Sequence, residues 1–164
     1  MRIGQIESGA RRAAFCPLDL AELAREVVEA FQPAAEEEGK SLVARLDTAL
    51  PMAGDRELLV QMIANLLDNA LRHTQAGVRV QVSGQRTARR VSLTVADDGP
   101  GVPLAELSAI FQPLYRAQSA RTSPGTGLGL SLVAAIAELH GFECVASDNR
   151  PGLRITLATA EPED

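Results

Sequence analysis

The sequence predicts a two-layer α/β sandwich, on two observations. Two pairs of short segments alternate apolar and polar residues: Val78–Val82 with Val91–Val95, and Phe142–Ala146 with Leu153–Ala158. Three longer stretches repeat apolar residues at helical spacing and are spread among those pairs. Each element therefore has one apolar face, and helices laid over one side of an open sheet bury all of these faces together. A length of 164 residues suits one domain with a real core, and 46% hydrophobic with 23% charged residues is an ordinary globular composition. Aromatics are 3% and Trp is absent, so that core must be built from Leu, Val, Ile and Ala.

Taken in order, residues 1–15 hold Ile3 and Ile6 in a polar stretch, like the frayed end of a helix whose partner lies elsewhere. Leu18 to about Gly39 reads as a long helix, with Leu20, Leu23, Val27 and Val28 on one face. Pro33 inside it predicts a kink or a break. Ser41–Leu46 alternates as a strand. Asp55 suits an N-cap, and Leu58, Leu59, Met62, Ile63, Leu66, Leu67, Ala70 and Leu71 form the apolar face of a helix through about His73. Val78–Val82 and Val91–Val95, joined by polar Gly84–Arg90, read as a β-hairpin. Residues 98–126 are rich in Gly, Pro, Ser and Arg, with one short apolar segment, Leu104–Phe111, fit for a helical turn or two. A loop that long inside one domain is usually functional or mobile. Leu128–His140 is a helix stopped by Gly141 at its C′ position. Two strands follow, around a turn at Asp148–Gly152.

Bulk properties exclude several functions. A net charge of −5 is wrong for a protein drawn to nucleic acid by phosphate attraction. No apolar run approaches the roughly 20 residues of a bilayer span, and the first residues are not a signal sequence. Cys16 and Cys144 stand far apart without metal-type spacing, as reduced thiols in a cytosolic setting do.

Four segments carry the chemistry. In Asn65-Leu-Leu-Asp-Asn69-Ala-Leu-Arg72-His73, the positions of Asn65, Asn69 and Arg72 fall within roughly 60° of one another on the helix, beside its apolar face. Amide oxygens there can join a Mg²⁺ shell; they can equally be surface residues of poor helix propensity. Asp97-Asp98-Gly99-Pro100-Gly101 ends a strand and is, taken alone, more often a simple turn. Its other reading is a carboxylate that accepts from an exocyclic amine, with glycines that let backbone approach a flat ring. Gly125-Thr126-Gly127-Leu128-Gly129-Leu130 opens the last helix, where free N–H groups make a phosphate cradle or allow tight packing. It lacks the Lys-Ser/Thr of a Walker A loop. Phe111-Gln-Pro-Leu114-Tyr115-Arg116 and Arg121 lie in the long loop; alone, the aromatics read as anchors and the arginines as solvated. In this order and at these separations, the four together describe a pocket for a nucleoside triphosphate.

That ordered set resembles the ATP-binding catalytic domain of sensor histidine kinases, within the superfamily of gyrase, mismatch-repair and heat-shock-chaperone ATPases. The resemblance spans about residues 15–160. It implies a Bergerat-type fold: a mixed five-stranded sheet covered on one face by three helices, with a long ATP lid. Asn65 and Asn69 match the N-box asparagines, Asn69 as the Mg²⁺ ligand; Arg72 matches the basic phosphate contact and His73 a position that is commonly aromatic. Asp97 matches the first-glycine-box aspartate that binds the adenine amine, with Gly99 and Gly101 beside it. Phe111 and Arg116 match the F box, where Leu114 replaces a second Phe. Gly125, Gly127 and Gly129 match the second glycine box. The implied cofactors are ATP and Mg²⁺. The implied contacts add Tyr115, Arg121, Thr126, Leu128 and Leu130 to these residues, and Asn65, Asn69 and Arg72 are the catalytic set.

By the same resemblance, residues 1–14 are a remnant of the dimerisation domain's second helix, and residues 161–164 a disordered tail. The phosphoacceptor histidine belongs to that partner domain, and a response regulator is met through the parent kinase. This piece is expected to be monomeric and cytoplasmic, whether or not the parent is anchored in the inner membrane. The rival readings are a related ATPase or serine kinase and a nucleotide-free interaction module.

Overall fold

A computed structural model describes residues 15–72, 74–112 and 129–159. The main sheet has the order β2 (Ser41–Arg45), β4 (Arg79–Arg86), β5 (Val91–Asp97), β7 (Leu153–Thr159), β6 (Phe142–Asp148). β2 runs parallel to β4 and every other neighbour is antiparallel, so the sheet is mixed. Along β5 the residues alternate buried and half-buried from Val91 to Asp97, the mark of a sheet with one covered face. The cover is α1 (Leu20–Glu37), α2 (Arg56–Arg72) and α3 (Gly129–Leu139), and Leu66, Leu67, Val80, Val82, Leu93, Val133 and Leu157 are among the residues that fill the space between.

The first helix begins where Asp19 accepts a hydrogen bond from the Ala21 N–H at 2.9 Å. The same carboxylate oxygen accepts from the Leu50 N–H at 2.8 Å, so the cap also fastens a distant loop. Pro33 neither breaks nor ends α1, contrary to the expectation from sequence. Pro33 is exposed, and on either side of it Ala35 is fully buried and the Gln32 amide donates to the Leu42 carbonyl at 2.6 Å. Packing of the flanking residues thus outweighs the one backbone bond that proline removes.

A second, two-stranded sheet pairs β1 (Cys16–Asp19) with β3 (Pro51–Gly54) and has no counterpart in the sequence reading. Gly54 is packed so closely that an added methyl would lie 2.7 Å from Leu59 and 2.9 Å from His140. His140, at the end of α3, is structural. Its Nδ1 lies 2.8 Å from the Ile136 carbonyl, its Nε2 accepts the Asp55 N–H at 3.0 Å, and its ring stacks on Phe15 with centroids 4.5 Å apart. Gly141 follows at φ +74°, the left-handed stop expected there. A 3-10 helix at Leu104–Ala109 supplies the short helical segment foreseen after β5. Among the described residues no helix is long and apolar enough to cross a membrane.

Candidate functional site

Helix α2 owes its start to Asp55, whose carboxylate accepts the Leu58 N–H at 3.1 Å. Glu57 in the first turn and Arg72 in the last suit the helix dipole. Its apolar face, Leu59 through Leu71, is buried, while Asn65 and Asn69 sit half-buried on the flank. Arg72, expected to meet phosphate, is engaged by Asp68 one turn earlier at 2.8 Å, and both side chains are about half exposed. Lys40 closes the helix from outside: its side chain is 6% exposed, and its Nζ donates to the Leu71 carbonyl and pairs with Glu38.

Beyond α2, the Thr74 hydroxyl turns back to donate to the Ala70 carbonyl at 2.8 Å. That fixes the Thr74 methyl against Gly99, where an added Cβ would come within 2.7 Å of it. The end of α2 that carries Asn69 is thereby a direct neighbour of the loop that follows β5. Helix α3 approaches the same end. Its last turn touches Asp55 through His140, and α2 and α3 pack together, so the two run in opposite directions. Eleven residues of helix span about 16 Å, which carries Gly129 back along α2 toward Asn65 and Asn69. A methyl on Gly129 would meet no described atom within 4 Å. Leu130 beside it is half-buried against the core.

Asp97 is the last inward position of β5, in series with Val91, Leu93 and Val95. A carboxylate there is costly to bury, yet Asp97 is only 6% exposed. Its Oδ1 accepts the N–H groups of Gly99 at 3.0 Å and Leu153 at 3.4 Å. Among the described residues Oδ2 accepts none. Burial pushes the carboxyl above its ordinary 3.8; the two N–H bonds pull it down and the charge of Asp98 adds to the rise. Asp98 points elsewhere and ties the start of β4 by accepting the Arg79 N–H at 2.7 Å. An open groove of about 410 Å³ lies beside the loop that follows β5, lined by Gln75–Val78 on one side and Asp98–Pro100 on the other; neither Asp97 nor Asn69 lines it.

Glycine is required at 99 and 101 by the protein's own packing. Thr74 fills the space beside Gly99, and Gly101 (φ +72°) would set a Cβ 2.8 Å from the Gly152 carbonyl. Thr74, Asn149 and Gly152, which the sequence reading did not single out, all help to fix the loop. The only signal for the last two was a turn-forming Asn-Arg-Pro-Gly. Of the other expected residues, Phe111 is half-buried against the core. His73, Leu114, Tyr115, Arg116, Arg121, Gly125, Thr126, Gly127 and Leu128 lie outside the described residues, as do residues 1–14 and 161–164. Neither cysteine joins the site, and burial pushes the Cys144 thiol up to about 12.

Residues 54–163 match the family model described as histidine kinase-, DNA gyrase B- and HSP90-like ATPase. The chain belongs to this family. It is 33% identical over 159 residues to the signal transduction histidine-protein kinase BaeS of Escherichia coli K12, covering 95% of this chain and 34% of that one. The mycobacterial sensor histidine kinase MprB superposes with a TM-score of 0.78 at 27% identity, covering 91% of this chain and all of that one. Full-length ShkA, solved in complex with AMPPNP, gives 0.76 at 28% identity, over 90% of this chain and 32% of ShkA. Within the family the chain is the ATP-binding catalytic domain of a sensor histidine kinase. It spans about a third of the length of the curated relatives it matches.

Proposed function

We propose that this domain binds Mg-ATP and positions its γ-phosphoryl group for transfer to a histidine on another domain of the parent kinase, working on the cytoplasmic side. The observation that carries the reading is Asp97: a buried carboxylate whose Oδ1 is held by backbone and whose Oδ2 accepts no hydrogen bond among the described residues. An exocyclic amine of adenine is the donor such an oxygen suits. AMPPNP, an ATP analogue, is what ShkA carries in the complex named above.

Asn69 offers an amide oxygen on the half-buried flank of α2, a hard ligand of the kind Mg²⁺ takes when phosphates and water complete its shell. Held there, a Mg²⁺ ion would supply charge neutralisation to the phosphates. The chain's own contribution is alignment: Asp97 orients the base, α3 presents its N-terminus and Arg72 can exchange Asp68 for phosphate. In phosphoryl transfer such alignment and charge stabilisation carry most of the catalysis. At residue 65 stands an amide, which does not take a proton from water at neutral pH, so hydrolysis lacks its base at that place. By resemblance to the family's motifs, Tyr115, Arg116, Arg121, Gly125–Leu128 and His73 are the further residues assigned to nucleotide contact; all lie outside the described residues.

The test is to mix the domain with a matching histidine-bearing dimerisation domain and γ-labelled ATP. Label on histidine, with phosphate release far slower, is the expected result. Rapid phosphate release with no labelled histidine would make the chain a hydrolytic ATPase. Absence of any nucleotide binding, with the fold intact, would leave only an interaction module.

A further inference from the structure

We propose that Asn149, in the turn between β6 and β7, is a positioning residue for recognition of the nucleotide base through Asp97. The proposal rests on the reading that Asp97 meets the adenine amine, and it concerns what holds that carboxylate in place.

β5 pairs with β7 only as far as Ala96 opposite Arg154, so the Asp97 carbonyl lies past the end of that ladder. Asn149 supplies the missing partner, its Nδ2 donating to the Asp97 carbonyl at 2.7 Å. The orientation of the amide is fixed by chemistry. Arg154 donates to Asn149 Oδ1 from Nη2 at 2.9 Å and Nε at 3.3 Å, and a guanidinium has no acceptor to offer, so the amide must turn its oxygen to Arg154 and its nitrogen to Asp97. The turn holds itself together by the Asn149 N–H donating to the Gly152 carbonyl at 3.0 Å. Gly152, at φ +110°, sits so close beneath Asp97 that a Cβ on it would lie 1.8 Å from the Asp97 carbonyl oxygen. The next residue, Leu153, gives its N–H to Asp97 Oδ1. One turn thus grips Asp97 at its carbonyl, along its backbone and at one carboxylate oxygen, while among the described residues Oδ2 takes no hydrogen bond.

Asn149 touches no nucleotide in this account; it acts through Asp97. Losing its donor frees the Asp97 peptide to rotate, and the carboxylate moves with it. Base discrimination falls, while grip on the triphosphate is kept.

The test uses the 164-residue chain and titrates it with ATP and with inosine triphosphate, in which a carbonyl oxygen replaces the exocyclic amine. The variants are Asn149→Ala and Asn149→Asp, the second keeping the side chain's shape and the acceptor for Arg154 while replacing the donor by an anionic oxygen that faces the Asp97 carbonyl. The preference for ATP over the inosine nucleotide should fall about tenfold in both, the scale of one well-placed hydrogen bond, with inosine triphosphate affinity unchanged. Should Asn149→Ala fail to fold, the isosteric Asp variant carries the test. A general structural role would weaken both nucleotides alike, and that result, or a preference left at the wild-type level, overturns the proposal. Asp97→Asn is the reference. If wild type shows no preference for ATP and Asp97→Asn changes nothing, the base reading itself fails and Asn149 with it; a preference that vanishes in Asp97→Asn and persists in both Asn149 variants refutes Asn149 alone.

Discussion

Replacing Asp97 by Asn removes a negative charge from a position that is 6% exposed while keeping the side chain's shape. The Asn carbonyl can still accept the N–H groups of Gly99 and Leu153, so the bonds at 3.0 and 3.4 Å survive without their charge assistance, a loss on the order of 1 kcal/mol. Against this stands the cost of holding a carboxylate away from water, about several kcal/mol per ion before compensation. Relief of burial is the larger effect, consistent with a carboxyl raised above 3.8 chiefly by burial. The net expectation is a gain of about 1 kcal/mol, or roughly 2–4 °C in Tm for a domain of this size. The pH dependence has a definite sign. A carboxyl whose folded value is raised binds its proton more tightly in the folded state, so its contribution is favourable at acid pH and lost as pH rises through the folded value. The stability gap between Asn and wild type should therefore open with rising pH above 3.8 and be complete above the raised value. Adenine nucleotide affinity moves the opposite way, falling by about 1.5–3 kcal/mol, roughly ten- to hundredfold, as a charged acceptor is lost. Differential scanning calorimetry from pH 4 to pH 8 with nucleotide titrations reads both, the range being on the order of the carboxylate-to-neutral window. A variant that melts lower than wild type at neutral pH, or one that keeps wild-type affinity, refutes the reasoning.

Asn69→Ala should leave Tm nearly unchanged, since the residue is half-buried on the helix flank, and should erase the difference in ATP affinity between Mg²⁺ and chelator; a surviving metal dependence would move the ligand elsewhere. Gly152→Ala combines a left-handed backbone with a Cβ placed 1.8 Å from the Asp97 oxygen, and should cost about 2–4 kcal/mol by chemical denaturation; a loss below 1 kcal/mol, on the order of a surface change, would mean the turn is looser than described. Lys40→Met removes the cation that closes α2, and should lower stability by about 1–2 kcal/mol and speed amide exchange in the last turn of that helix; unchanged protection there would contradict the capping role.

Much of this molecule can be read along the chain because its strongest patterns are local. The apolar face of α2, the alternation of β4 and β5 and the Gly141 stop each lie within a few residues, and the structure follows them. β1 and β3 escaped notice because each has four residues and contains a proline, too few to display a period. Pro33 misled for the reverse reason: a strong local rule yielded to the packing of Ala35 and the bond from Gln32 to β2. The supports of the site are non-local. Lys40 reaches Leu71 across 31 positions and Asn149 reaches Asp97 across 52, and no short window of sequence contains both ends of either bond.

The most direct measurement is a crystal structure of the domain with Mg²⁺ and an ATP analogue. The account predicts the adenine amine about 3 Å from Asp97 Oδ2 and the metal about 2.1 Å from the Asn69 amide oxygen. A base bound away from Asp97, or a metal held with no contact to Asn69, would contradict it.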